Sequence, residues 1–337
     1  MGAASMTSQV IAPMLAKLVA DIPPGLFYEP KWDGFRAIVV RDGSELEIHS
    51  RNGKPMARYF PDLVDAFLKQ LPERCTVDGE IVVIGKAGRL DFFALQQRIH
   101  PAASRIGRLA GETPASFVAF DLLDDPALPF ERRRSALEAM RWAPPLHLTP
   151  ITRDEGVARE WFERFEGAGL DGVIAKDGSL PYRPGQRVMF KIKHQRTADC
   201  VIAGYRLHKT EPEAIGSLML GLYGDDGLWP IGAAASFRLA FRRELLTTLR
   251  PSEVSPEDHP WGKWMQEQPS RWNPARDQPF VPLRPERVIE VRYDHMDGRF
   301  LRHPATFLRW RDDREPESCT FEQLIEAEAV DAGTILA

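Results

Sequence analysis

The order in which strand-like and helix-like periods follow one another constrains this chain most. Short runs rich in β-branched and aromatic residues dominate the first half, and they do not alternate strictly with helical runs. Arg36 to Arg41 and Glu45 to Ser50 flank Asp42-Gly43-Ser44, which reads as a hairpin turn. Thr76 to Ile84 and Phe117 to Leu123 are further strand runs. Between them, Leu63, Val64, Phe67, Leu68 and Leu71 fall on one side of a helix over 61–71, and Val157, Trp161, Phe162 and Phe165 repeat that period. The expected fold class is therefore α+β, antiparallel sheets with helices packed on them, rather than a doubly wound parallel sheet. After Lys193 the character changes. Asp199 to Tyr205, Ser217 to Tyr223 and Arg287 to Tyr293 read as strands around a single helix, Leu239 to Leu249, which suits a small β-barrel. The proline- and tryptophan-rich stretch 251–285 reads as an extended excursion, because prolines at that density interrupt regular elements. A domain boundary is expected near Gln195.

The 337 residues suffice for two domains with cores of their own. No stretch approaches the roughly 20 apolar residues of a membrane span, and the start lacks the charged-then-apolar pattern of a secretory signal, so no membrane and a cytoplasmic setting are expected. Cys75, Cys200 and Cys319 lie far apart without a CxxC pair, which supports neither a zinc site nor a disulfide framework. A formal net charge of −4 argues weakly against nucleic acid, yet a basic face can sit on an acidic body.

Chemistry concentrates in a few runs. In Tyr28-Glu29-Pro30-Lys31-Trp32-Asp33-Gly34-Phe35-Arg36, Lys31 is the candidate nucleophile. A lysine attacks only as the free amine, so burial or nearby cations are expected to lower its pKa. Neither GxxxxGK[ST] nor GxGxxG occurs, so a triphosphate would be held by side chains. Phe190-Lys191-Ile192-Lys193 alternates, which in a strand puts Lys191 and Lys193 on one face beside Met189. The same pattern also suits a solvated strand edge. Glu80 and Asp171 each open an apolar strand run and are candidates for Mg²⁺, which takes carboxylate and phosphate oxygens. A salt bridge or turn cap is the alternative for both. Phe120 suits stacking on a base or plain core packing. Arg299, Arg302, His303, Arg309, Arg311 and Arg314 crowd a segment interleaved with aromatics, a mixture suited to phosphate. Arg132-Arg133-Arg134 reads as an exposed helix start with no role beyond backbone contact.

Taken in order, KWDGFR at 31–36, SRNG at 50–53, DGE at 78–80, FDLL at 120–123, DGVIAK at 171–176, FKIK at 190–193 and Arg311-Asp312-Asp313-Arg314 resemble the successive motifs of the covalent nucleotidyltransferase superfamily. SRNGKP, MFKIKHQRTADCVIAGYR and HPATFLRWRDD bring the resemblance to the compact bacterial ATP-dependent DNA ligases of the LigC type. That resemblance implies an ATP-grasp-like adenylation (nucleotidyltransferase) domain over 1–195 and an OB-fold domain over 196–337. It implies ATP and Mg²⁺, or Mn²⁺ in its place, as cofactors, with nicked duplex DNA as the partner sealed in DNA repair.

The implied roles follow the motifs. Lys31 attacks the α-phosphate and carries AMP, and Glu29 helps to read adenine. Arg36 and Arg51 hold ribose and phosphates, Glu80 contacts ribose or metal, and Phe120 stacks on the base. Asp171 faces the metal, Lys191 and Lys193 face the α-phosphate, and Arg311 and Arg314 orient the leaving pyrophosphate. The same cations are expected to depress the pKa of Lys31, and a hinge is expected just after Lys193. A separate repair polymerase or primase is an implied partner, with a monomer as the default state. An RNA ligase or capping guanylyltransferase shares the lysine chemistry, and a nucleic-acid-binding scaffold with a decayed site is the reading from another class.

Overall fold

A computed structural model describes residues 10–99, 102–262, 280–324 and 328–336. Residues 10–193 with 328–336 form one unit, and 194–324 form a second.

In the first unit, Leu15–Leu18 (β1) and Phe27–Pro30 (β2) precede the hairpin of Phe35–Asp42 (β3) and Glu45–Ser50 (β4). Pro61–Gln70 (α1) starts on a proline, whose missing N–H costs nothing in a first turn, and buries Leu63, Ala66 and Phe67. There follow Arg74–Val82 (β5), Phe92–Gln97 (α2), Ala103–Glu112 (α3), Ser116–Leu122 (β6), Phe130–Glu138 (α4) and Leu146–Leu148 (β7). Glu155–Arg164 (α5) is capped by Asp154, whose carboxylate accepts from the amides of Gly156 and Val157. Val173–Lys176 (β8) and Arg187–Ile192 (β9) complete the unit's strands.

These strands make two sheets, ordered β4-β3-β5-β6-β7 and β1-β9-β8-β2. Pairing is antiparallel as expected, except for β6–β7 and β1–β9, which are parallel. Both exceptions join short edge strands across long connections, as parallel neighbours require. Phe67 of α1 meets Phe117 of β6 edge-on at 5.0 Å in the larger core. Burying one such ring stabilises the unit by roughly 1.5–3 kcal/mol.

The second unit contains Arg196–Leu207 (β10), Ile215–Gly224 (β11), Gly227–Ala235 (β12), Leu239–Leu249 (α6), Val281–Tyr293 (β13), Met296–Asp297 (β14), Phe300–Leu301 (β15) and Ala305–Trp310 (β16). Five strands close into a barrel in the order β10-β11-β12-β16-β13, an OB-fold. Closure leaves these strands no unpaired edge.

Three sequence expectations need correction. The excursion assigned to 251–285 ends earlier, because β13 already runs from Val281 through Pro282 and Pro285. The prolines are tolerated where the β10–β13 register shifts between Ile202 and Gly204; residues 263–279 of that stretch lie outside the described ones. Residues 328–336, assigned to the second domain, belong to the first, since Ala332, Val330, Ile335 and Leu336 complete a core cluster around Trp32. Arg133 and Arg134 are buried rather than exposed. Arg133 forks onto Asp121 at 2.8 and 3.0 Å, and Arg134 binds Glu138 at 2.8 Å and the Thr149 carbonyl at 2.8 Å. Counter-charges twelve and four residues away make that burial possible. The three cysteines are free and buried. Among the described residues no helix is long and apolar enough to cross a membrane.

Candidate active site

Lys31 stands just past β2, where the backbone is fixed from both sides. Its N–H donates to the Gly172 carbonyl at 2.8 Å, and its own carbonyl accepts from Asp171 N–H at 2.9 Å. Gly172 has φ +128°, and a Cβ there would lie 2.0 Å from the Ile192 carbonyl oxygen. Only glycine allows that turn to bring the Lys31 and Lys193 segments together. The side chains converge accordingly: Lys31 Nζ lies 2.6 Å and Lys193 Nζ 2.7 Å from the same oxygen, Asp171 Oδ2.

This corrects the expectation for Lys31. Burial lowers its pKa, but the charge of Asp171 and the hydrogen bond to it, aided by Asp33 and Glu80, more than reverse this and the net shift is upward. The resting lysine is thus an ammonium. The pair conversely holds Asp171 down at about 2: burial raises it, and Lys31 and Lys193 overcome that. Lys191 is the lysine shifted down, by burial and by Lys193 and Lys31.

On the larger sheet, Arg36 of β3 sits opposite Glu80 of β5, with Asp78 two residues along the same face. Arg36 forks onto Asp78 through Nε at 2.5 Å and Nη2 at 2.6 Å. Asp78 also accepts from the Tyr182 hydroxyl at 2.7 Å. Glu80 accordingly lacks the strong partner that Asp78 has, and burial pushes its pKa up to about 7 although Arg36 and Lys31 pull it down. Its folded pKa lies above the ordinary 4.5, so its stability contribution is greatest below 4.5 and falls as pH rises toward 7. Glu80→Gln is therefore expected to gain stability over the wild type between pH 5 and pH 8 in metal-free buffer. Urea midpoints at the two pH values check this, and equal differences at both would contradict it.

Glu29 of β2 is 3% exposed, as is Lys176 at the end of β8. Lys176 Nζ pairs with Glu29 Oε2 at 2.7 Å and donates to the Phe120 carbonyl at 3.2 Å. Glu29 Oε1 has no hydrogen-bond partner among the described residues, and Arg134 Nη1 lies 3.6 Å from it. Phe120 is 8% exposed, and Arg36 and Lys176 lie 4.4 and 4.8 Å from its ring centre. In this state cations already rest against the ring expected to stack on a base.

These groups line one cavity of about 300 Å³, with Lys31, Arg36, Arg51, Glu80, Lys191 and Lys193 on its polar side and Met14, Phe120, Ile174 and Met189 on its apolar side. Glu29 and Lys176 line it too. Arg51 is exposed at the end of β4. Arg311 and Arg314 belong to the second unit, where Arg311 Nη1 donates to both Asp199 oxygens at 2.8 Å and Arg314 Nε lies 3.6 Å from one of them. No group of three or more His, Cys, Asp or Glu among the described residues could hold a metal alone.

Sequence reasoning missed Lys176, Asp78 and Tyr182. Lys176 was legible in principle, since period two in β8 puts it on the face of Ile174, away from buried Val173 and Ala175. Tyr182 gives no local signal.

Two family models match. The ATP dependent DNA ligase domain covers residues 13–193, and the ATP dependent DNA ligase C terminal region covers 211–314. DNA ligase C2 of Mycolicibacterium smegmatis is 56% identical over 334 residues, covering 93% of this chain and 94% of its own length. The multifunctional non-homologous end joining DNA repair protein LigD of Mycobacterium tuberculosis is 32% identical over 93% of this chain and 40% of its own length. A solved Lig E DNA ligase, 19% identical with a TM-score of 0.59 over 90% of this chain and 100% of that one, shares the fold.

Proposed function

Since the chain belongs to the ATP-dependent DNA ligases, with ATP and nicked DNA as substrates, we propose that Lys31 is the residue that carries AMP between them. The observation that carries this reading is the convergence of Lys31, Lys191 and Lys193 at one cavity that also holds Arg36 and Glu80. Lys31, an ammonium at rest, gives one proton to solvent and attacks the α-phosphorus of ATP as the amine; a P–N bond forms, the bond to pyrophosphate breaks, and the nitrogen's second proton also passes to solvent. An oxygen of the nick's 5′-phosphate then attacks the AMP phosphorus, and the P–N bond breaks as the lysine nitrogen regains a proton from solvent. The 3′-hydroxyl finally attacks that 5′-phosphorus and expels AMP.

Fixed cations suit each transfer, because charge builds on non-bridging oxygens as phosphorus is attacked. Lys191 and Lys193 supply it at the α-phosphate, and Arg36 and Arg51 at the ribose and phosphates. Glu29 Oε1, buried and without a donor, suits the exocyclic amine of adenine, which guanine replaces by a carbonyl. Phe120 would meet the base once Arg36 turns to the nucleotide. Arg311 and Arg314 are assigned to the pyrophosphate.

Mg²⁺, or Mn²⁺, belongs to the same proposal. Glu80 and Asp171 are the carboxylates available for it, and two carboxylates complete a hard-cation site only together with phosphates. The ion would neutralise phosphate charge. The Asp171 oxygen now shared by two ammonium groups marks where a cation is already favoured.

We further infer a role in DNA repair, which the likeness to a repair ligase supports, carried out by a monomer in the cytoplasm with a separate polymerase or primase preparing the ends. The test is a nicked duplex bearing a 5′-phosphate. Sealing is expected with ATP and Mg²⁺ and not with GTP or NAD⁺; sealing with GTP would overturn the reading of Glu29, and no sealing with any nucleotide would overturn the assignment.

A further inference from the structure

The segment 328–336 leaves the second unit's sequence behind and lies against the first unit, beneath the residues that hold Lys31. Trp32, adjoining the nucleophile, is 5% exposed, with its indole N–H on Thr149 Oγ1 at 2.8 Å. The cluster around it takes Ala332, fully buried, from this segment and Ala168 and Leu170 from the loop between α5 and β8. That loop continues directly into Asp171 and Gly172, the two residues clamped to the Lys31 backbone.

The segment is attached to the same loop by its backbone. Val330 N–H donates to the Gly167 carbonyl at 3.2 Å and Ala332 N–H to the Gly88 carbonyl at 2.7 Å, while Leu90 N–H joins the Ala168 carbonyl at 2.9 Å. At the far end the Leu336 carbonyl lies 3.2 Å from His147 Nδ1. Its three-residue turn, Ala332–Thr334, is capped by Asp331 through Gly333 N–H at 2.8 Å.

We propose that segment 328–336 is a strap that positions Lys31 and Asp171 for adenylyl transfer, by fixing Trp32 on one side and the loop 165–170 on the other. The inference rests on Lys31 being the nucleophile. None of the strap's residues lines the cavity that holds Lys31, so they act through others. Its effect belongs to the step in which Lys31 attacks, since closing the nick from a DNA already carrying AMP does not use the lysine as nucleophile. Misplacing a reacting group by about 1 Å costs about 100-fold, and partial release of the strap is expected to cost about tenfold.

Gly167 offers a narrow way to release it. A Cβ there would lie 1.7 Å from the Glu328 carbonyl oxygen and 2.9 Å from its carbon, with Val330 Cγ2 next at 3.2 Å, all on the strap. Gly167→Ala in the full chain thus drives its new methyl into 328–336, which supplies the three atoms nearest to it. Gly107→Ala, whose Cβ meets nothing within 4 Å, is the matched control. Ala332→Glu, which puts a charge into the cluster, is the second variant.

Each protein is stripped of nucleotide with pyrophosphate. Lys31 adduct formation is then timed at saturating ATP, and sealing is timed on a nick pre-loaded with AMP. In Gly167→Ala the adduct rate is expected to fall about tenfold with KM for ATP and pre-loaded sealing changed less than about twofold, while Gly107→Ala matches the wild type. An equal fall in both reactions would mean general loss of structure and overturn the proposal, as would an unchanged adduct rate in both strap variants. A wild type that forms no adduct on Lys31 would overturn the parent reading as well, which separates the two failures.

Discussion

Replacing Asp171 by Asn slows AMP transfer to Lys31 by about 100-fold in a single turnover. Two effects of that change oppose each other. Asp171 is the principal reason the Lys31 pKa is raised, so its loss increases the free-amine fraction, about tenfold for each unit of pKa that is relieved. The same change removes the negative charge that holds Lys31 Nζ at 2.6 Å and Lys193 Nζ at 2.7 Å, leaving two lysines to repel each other around a neutral amide where the α-phosphate must be received. Placement wins, because an amine out of line gains little from being neutral. A second readout separates the terms: Lys31 in Asp171→Asn should react faster than wild type with an amine-acylating reagent in the absence of nucleotide, while its reaction with ATP slows. Unchanged adduct formation would show that Asp171 neither aligns the lysine nor serves the phosphates.

Lys176→Met destabilises the first unit by about 3–5 kcal/mol at pH 8, because it leaves the buried carboxylate of Glu29 with only Arg134, 3.6 Å away. The pH dependence has a definite sign. Burial already raises the Glu29 pKa above 4.5, against the pull of Lys176 and Arg134. Removing Lys176 raises it further. A group with a raised folded pKa loses its stabilising contribution as pH rises, so the deficit of Lys176→Met should be larger at pH 8 than at pH 5. Glu29→Gln combined with Lys176→Met should recover most of the loss, since no charge then stays buried. Urea midpoints of the three variants at both pH values measure this. A deficit independent of pH would place the effect in the lost contacts of the Lys176 ammonium with the rings of Phe120 and Phe130 instead.

What was legible in the sequence was what repeats with a short period. The hairpin around Gly43, the α1 stripe of Leu63 and Phe67, and α6 over Leu239–Leu249 are set by local pattern and turn chemistry, and β3, β4 and β5 begin within two residues of where alternation puts them. The parallel edge pairs were not legible, since nothing in a three-residue run such as Leu146–Leu148 states which neighbour it joins. Nor was the return of 328–336 to the first unit, which depends on a groove assembled from Trp32, Ala168 and Leu170.

The site divides in the same way. Lys31, Glu80, Asp171, Lys191 and Lys193 stand out as residue types at meaningful spacing, and the cavity gathers Lys31, Glu80, Lys191 and Lys193. Their pairing did not stand out. Whether a lysine between cations is neutral depends on which carboxylate the fold brings to it, and Asp171 is 140 residues away in sequence. Arg133 and Arg134 show the converse: a basic run reads as a solvated face until Asp121 and Glu138 are seen to neutralise it.

The proposed mechanism turns on one covalent bond, between Lys31 and AMP. Intact mass is measured on protein stripped with pyrophosphate and then given ATP and Mg²⁺, for the wild type and for Lys31→Ala. The wild type is expected to gain one AMP and Lys31→Ala none. An adduct on both proteins would move the nucleophile elsewhere, and an adduct on neither would contradict the lysyl-nucleotide mechanism.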